Sequence, residues 1–448
     1  MFKSRFDKIS LQNKTVIINM SGAFMVKGLS LCLSLFTMPA YIRFFQNQTV
    51  LGVWFTIVSI LNWILFFDLG LGNGLRNMLP KALEEKDDTR VKELISTTYF
   101  SMAILVVVMG ILGSFLIPAL NWNTIFNVDS HLVNNTVLTH CVLIVFYGIL
   151  LQFIVKLVSS VLYALQKSAV VNLMSLISSA LIVIALVTIP SSTMECNLYT
   201  MAIINVVAMC LPYIVVSFWV YGKAIKKSFP RLSYFNKNCV GDIAKIGISL
   251  LWLQLVFMMT SSTNEFLISN FTSPNYVVEY QAYYKIFKTG SMIFSLALTP
   301  IWSAVTKAQA NYDFVWIKKI YKFFLAASCV CLAIEIAIVP FLQSLMNIWL
   351  GEDSILVSTS AAIVFAFSGT IFVLHNVNTA IGNGISYFKT QMIWMTFAAV
   401  ICIPLSYLCV QITGNWIGVV IGTTLSIVPY ELLAPIYTFR FINKQGEG

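Results

Sequence analysis

The sequence has little charge. Asp, Glu, Lys and Arg make up 10% of its 448 residues, where an ordinary soluble domain carries about 25%, and 58% of its residues are hydrophobic. Together these values argue against a water-soluble enzyme. Cysteine is present but unpatterned. Cys32, Cys141, Cys210, Cys329, Cys331, Cys402 and Cys409 lie in apolar stretches, no C-x-x-C pair occurs, and Cys196 alone falls in an outer loop. A zinc site and a disulfide framework are therefore not expected; the thiols read as small packing groups. No Walker A sequence occurs, so neither nucleotide binding nor direct drive by ATP is expected.

What the sequence does have is long apolar blocks, without the amphipathic spacing of water-facing helices. A membrane-spanning helix takes about 20 apolar residues. The blocks predict twelve spans near 15–42, 50–72, 96–120, 138–164, 169–190, 200–222, 245–270, 278–301, 323–344, 359–381, 388–410 and 416–438. In hydrocarbon only helices and closed barrels leave no backbone N–H unpaired, and runs this long exclude the short alternating strands of a barrel. The fold class expected is all-α: a polytopic membrane protein with 12 transmembrane helices. The first block follows basic residues, as in a signal peptide, but is too long and lacks an A-x-A-like site, so it reads as an uncleaved first span.

The net charge of +10 invites a nucleic-acid reading until the basic residues are placed. With both termini cytoplasmic, Arg43 alone of the 28 falls on an outer segment, and Lys27, Lys156, Lys285 and Lys288 fall inside spans; all others lie on cytoplasmic segments. That asymmetry is the positive-inside rule, so the charge records topology and no nucleic-acid partner is expected. The longest outer loop, 121–137, holds Asp129 and His131 but no Lys or Arg, leaving no external domain to host an active site. No catalytic residue, metal or cofactor is expected.

The chain divides at the basic segment 223–244, giving an N-terminal six-helix lobe over 1–222 and a C-terminal six-helix lobe over 245–448. Leu51–Trp54 and Arg90–Ile95 in the first half correspond in order to Val277–Tyr280 and Trp316–Tyr321 in the second. Each half has an even number of spans, so the halves would be parallel repeats related by an axis along the membrane normal.

Lys or Arg at the centre of a span costs about 2.5–3.5 kcal/mol on insertion scales and marks a watery cavity or a partner. Lys27, Lys156, Lys285 and Lys288 are the candidate lumen cations, with Lys285 and Lys288 spaced to share one helix face. A Glu265–Lys285 pair is geometrically allowed. Asp68, Glu279 and Glu431 lie near span ends, where snorkelling is the simpler reading. His375 reads first as a hydrogen-bonded packing residue. Glu265, Glu335 and His375 are the candidates for coupling to an ion gradient.

One local motif stands apart: Asp68-Leu69-Gly70-Leu71-Gly72-Asn73-Gly74-Leu75-Arg76-Asn77, at the inner end of the second span. Its alternating glycines allow close helix approach or a change of direction. Residues 81–95 then read as a short interfacial helix. Prolines within or near span ends, among them Pro212, Pro340, Pro404 and Pro429, suit helices that bend. Trp54, Trp122, Trp302, Trp349 and Trp416 read as interface anchors.

The twelve spans, short outer loops and the Asp68–Asn77 motif after an L-G-x-W span resemble the polysaccharide-transporter branch of the multidrug/oligosaccharidyl-lipid/polysaccharide (MOP) exporter superfamily, and are most similar to Wzx-type O-antigen flippases of bacterial inner membranes. The resemblance implies two six-helix lobes around a cationic cavity and translocation of an undecaprenyl-diphosphate-linked oligosaccharide from the cytoplasmic to the periplasmic leaflet. It implies a multi-pass inner-membrane location, with a polysaccharide polymerase and a chain-length regulator as further partners. Asp68 and Arg76 carry over as gate candidates, while Trp252, Gln254, Asn264, Tyr283 and Tyr284 are candidate sugar contacts. A drug exporter of the same superfamily would favour a carboxylate-rich cavity. A peptidoglycan-precursor flippase usually has two further spans, for which this chain has no room. A membrane polymerase or ligase would carry a large outer loop with Arg or His.

Overall fold

Nine helices are long and apolar enough to cross a membrane, by length and composition among the described residues. The computed structural model describes residues 25–446 apart from positions 27, 31, 32, 34, 66–69, 166, 226, 227, 352–354, 386 and 388. In chain order the helices begin with α1 (Gly28–Phe45), α2 (Gln48–Ile64), α3 (Leu71–Glu84) and α4 (Asp88–Ala119). There follow α5 (Trp122–Phe126), α6 (Asn135–Val155), α7 (Leu157–Ala164), α8 (Ser168–Thr188) and α9 (Met194–Trp219). The remainder are α10 (Lys237–Ser261), α11 (Asn264–Phe271), α12 (Asn275–Ala310), α13 (Phe314–Ile338), α14 (Leu342–Leu350), α15 (Thr359–Gly384), α16 (Lys389–Thr413) and α17 (Ile417–Gly446). The all-α membrane architecture read from the apolar blocks is the observed one.

Several predicted spans are broken where the sequence supplies a reason. The second divides into α2 and α3, and Gly70, ahead of α3, takes a φ of 67°, a left-handed turn that glycine adopts without strain. The expected interfacial helix 81–95 does not form as one piece. The chain turns at 85–87, and the Asp87 side chain accepts from the Arg90 N–H at 2.9 Å, so that residues 88–95 open α4. The predicted seventh span breaks between α10 and α11. Hydroxyls of Thr260, Ser261 and Thr263 all donate back to carbonyls one turn earlier, those of Val256, Phe257 and Met259, in the pattern that bends helices.

Long helices show the inside-out character of a membrane protein. On α4, Val91, Leu94, Ile95 and Met102 are buried, whereas Ile104, Val108, Ile111 and Phe115 are exposed. In water such an apolar surface would be a liability; against lipid it is the expected facing.

The chain forms two compact units, residues 1–50 with 60–252 and residues 51–59 with 253–448. In the second, α16 and α17 pack closely because Gly418 and Gly422 form a G-x-x-x-G pair. A Cβ on Gly422 would lie 2.4 Å from Ser406 Cα, and one on Gly418 2.5 Å from Val410 N.

Three tryptophans expected as interface anchors, Trp54, Trp122 and Trp416, are core residues instead. Trp54 is 1% and Trp416 2% exposed, and the Trp416 indole N–H donates to Glu279 Oε2 at 3.1 Å. An indole whose N–H has a partner packs in an interior as well as at a membrane boundary.

Candidate functional site

The break between α10 and α11 sets Asn264 and Glu265 at the start of a helix facing α12. Within the second unit, Glu265 accepts from Gln281 Nε2 at 2.6 Å and from Ser59 Oγ at 3.1 Å. The Ser59 hydroxyl is also 3.0 Å from the Ser262 carbonyl. Lys288, on the facing α12, lies near enough for its charge to favour the ionised form of this carboxylate.

Lys288 lines a small cavity of about 20 Å³ in the second unit. Its ammonium donates to the Tyr284 hydroxyl and lies 4.3 Å from the centre of that ring and 5.3 Å from that of Phe372, within cation–π range of both. Tyr280, Phe287 and Phe365 add aromatic wall. Asn264 supplies an unusual polar group. Its amide N–H donates to the Tyr280 hydroxyl at 3.1 Å, but its Oδ1, buried, has no hydrogen-bond partner among the described residues. A buried acceptor left unpaired costs about 1–3 kcal/mol and calls for an explanation. An incoming hydroxyl or amide would supply one. No carboxylate lines this cavity among the described residues.

Behind one wall sits Glu335 of α13, 6% exposed, whose Oε2 accepts from the Thr370 hydroxyl at 3.0 Å. Its carboxylate occupies the space that a side chain at Gly369 would need, with Oε1 only 2.6 Å from an added Cβ. Ser291 of α12 donates to the Gly369 carbonyl at 3.0 Å. Helices α12, α13 and α15 thus meet at one glycine, which also lines the cavity.

A second polar network lies across α13, α15 and α17. His375 Nδ1 and Glu431 Oε1 are 2.9 Å apart, Asn378 Nδ2 donates to Glu431 Oε2 at 2.7 Å, and the Tyr321 hydroxyl donates to Asn378 Oδ1 at 2.7 Å. Phe257 stacks on the imidazole and Tyr430 meets its edge. Glu431, expected from its place near a span end to snorkel, is 2% exposed. Its position suggests a route to the interface, but two buried donors hold it inside.

The other candidates are dispersed. Lys27 and Asp68 lie outside the described residues. Lys156 is exposed at the turn joining α6 to α7. Arg76 is exposed on α3, its guanidinium 4.1 Å above the Tyr163 ring, which ties α3 to α7. Lys285 is half-buried and is not among the cavity's lining residues. Of the candidate sugar contacts, Asn264 and Tyr284 line the cavity, whereas Tyr283 is buried and accepts from the Ser358 N–H at 2.8 Å. Trp252 is exposed, and the Gln254 side chain is outside the description. Tyr280, Phe287, Phe365, Phe372 and Asn378 carry no signal in the sequence, because aromatic and amide residues inside apolar spans look like packing.

The described residues thus form an all-α fold of long apolar helices, several of them broken. No protein-family model and no curated protein sequence matches the chain. Solved structures do match, with the fold of MOP-superfamily transporters. An inward-facing multidrug resistance MATE family transporter superposes with a TM-score of 0.72 at 16% identity, covering 94% of this chain and 99% of that one. The lipid II flippase MurJ in an inward closed conformation gives 0.73 at 14% identity, covering 95% and 89%. An outward-facing MATE transporter gives 0.61 at 16% identity over 96% of each chain.

Proposed function

We propose that the protein is a flippase that moves an undecaprenyl-diphosphate-linked oligosaccharide from the cytoplasmic to the periplasmic leaflet of a bacterial inner membrane, with its two lobes alternating access. The observation that carries this reading is Lys288. A cation inside a predicted span, in an aromatic cavity beside an unpaired amide oxygen, suits a phosphate-bearing sugar. The ammonium would meet phosphate oxygen, the flat aromatic faces would pack on a sugar ring, and Asn264 Oδ1 would accept a sugar hydroxyl. At about 20 Å³ the cavity as it stands has room for about one water, so it would open to admit such a group and is one subsite of a longer path. Lys27, Lys156 and Lys285 are further candidate cations on that path, and Asp68 and Arg76 candidate gate residues. The isoprenoid tail would remain in lipid while the headgroup passes. Glu265, Glu335 and His375 are the candidates for coupling this movement to an ion gradient. A polysaccharide polymerase and chain-length regulator would act on the delivered product.

The test is complementation of a strain lacking its flippase. Charge reversal at Lys288 or Lys27 should abolish surface polysaccharide while leaving protein levels normal, with single undecaprenyl-linked units stranded on the cytoplasmic side. Normal surface polysaccharide in both variants would sink the cationic-cavity reading.

Export of organic cations is the second reading, favoured by Glu265, Glu335 and Glu431 in the second unit and by the fold shared with MATE transporters. Each of these carboxylates already accepts side-chain hydrogen bonds: Glu265 from Ser59 and Gln281, Glu335 from Thr370, and Glu431 from Asn378. None lines the Lys288 cavity. Drug resistance conferred on an efflux-deficient host, without restoration of polysaccharide, would favour this reading over the flippase.

A further inference from the structure

The first unit carries a larger cavity of different chemistry. It is an open groove of about 510 Å³, walled mainly by Tyr99 of α4, Ile154 and Val155 of α6, Phe218 of α9, and Tyr221 and Phe229 beyond it. The hydroxyls in the wall are turned onto protein groups. Tyr221 donates to Tyr99 at 2.9 Å, and Ser217 donates to the Tyr213 carbonyl at 2.7 Å. Little is left for a sugar to bond. Where α9 ends, residues 220–224 form a π-helical turn, an irregularity that recurs at functional positions, and it places Tyr221 and Gly222 on the cavity wall.

The flanks of this apolar groove are basic. Lys156 adjoins Val155, Lys223 adjoins Gly222 and Arg231 adjoins Pro230; all three are exposed. No acidic residue adjoins any lining position in the sequence. Apolar walls with exposed basic residues next to them in the chain match a hydrocarbon chain ending in phosphate. Basic pockets between transmembrane helices bind anionic lipid headgroups for the same reason.

We infer that this groove is a binding site for an anionic membrane phospholipid, its acyl chain against Ile154, Val155, Phe218 and Phe229 and its phosphate at Lys223 and Arg231. The groove belongs to the first unit and the Lys288 cavity to the second. Native mass spectrometry of the full-length purified protein, titrated with chain-matched phosphatidylglycerol and phosphatidylcholine, tests it. Phosphatidylglycerol should be retained preferentially. Lys223→Gln and Arg231→Gln should each weaken that retention about fivefold, the effect of removing one basic group near a phosphate, and leave phosphatidylcholine unchanged. Gly222→Leu, at a position where an added Cβ meets no atom within 4 Å, should fill the groove and reduce retention of both lipids. Equal retention of the two lipids, or unchanged phosphatidylglycerol binding in the Lys223→Gln/Arg231→Gln double variant, would overturn the proposal. So would displacement of phosphatidylglycerol by equimolar glycerol phosphate, which would mean that the chain adds nothing. A dimer mass lost in Gly222→Leu would overturn it too, by assigning the groove to a second copy of the protein.

Discussion

Both units are built from long apolar helices, yet they treat charge in opposite ways. In the first unit the described candidate cations face outward. Arg76 and Lys156 are exposed, and the Arg90–Glu93 pair at 3.5 Å is partly open to solvent. Its buried polar side chains are neutral ones such as Gln152, Asn197 and Asn205. In the second unit Glu335, Glu431 and His375 are buried, and Glu265, Lys285 and Lys288 are half-buried. Charge in a low-dielectric interior is tolerated only where partners are fixed around it. Ser59, Gln281, Thr370, Asn378 and Tyr284 are such partners. The second unit therefore gives up apolar packing to keep charge inside, which is the signature of a site, while the first offers an apolar groove with basic flanks.

The sharpest way to break this contrast is Lys288→Glu. It sets a second carboxylate beside Glu265 and removes the cavity's cation, so complementation should fall to the null level with normal protein abundance, and Lys288→Arg should retain part of it. Next in size is Glu431→Ala. Breaking a buried pair and leaving His375 and Asn378 without their acceptor should cost about 3–5 kcal/mol, read as a lower midpoint of thermal unfolding in detergent. His375→Phe in the same background should recover part of the loss, because the two effects are coupled. An unchanged midpoint in Glu431→Ala would mean that the network is not structural.

Gly369→Ala is smaller. An added Cβ would lie 2.6 Å from Glu335 Oε1, and overpacking of this kind costs about 1–3 kcal/mol. Glu335→Ala should relieve it, so the double variant should unfold above the sum of the two single losses. Additive losses would show that the carboxylate is not what the alanine meets. Least affected should be Arg76→Gln in the first unit. The exposed stacking on Tyr163 is worth about 0.5–1 kcal/mol, so unfolding should shift slightly. A loss of transport without a loss of stability would instead support a gate role for Arg76.

Several of these positions are legible in the amino-acid sequence alone. A charged or titratable side chain inside an apolar span is conspicuous, and Lys285, Lys288, Glu265, Glu335 and His375 all stand out in that way. Their partners do not. His375 and Glu431 are 56 residues apart, and Ser59 and Glu265 are 206 apart; nothing in hydropathy links such positions. Glu431 does lie near a predicted span end, but depth along a helix says nothing of the donors that hold its carboxylate inside. Trp54 and Trp416 mislead for a related reason, since an amphipathic ring is placed equally well at an interface or within a packed interior.

The sequence by itself determined the all-α membrane architecture and most span positions. Hydrocarbon forces each backbone segment to satisfy its own hydrogen bonds, so a long apolar run has one structural solution. Tertiary structure alone decided where those helices break, which charges meet, and that Lys288 rather than Lys285 lines the cavity. Those outcomes depend on which faces of distant helices come into contact, and a side chain's partner across such a contact leaves no mark on the local sequence.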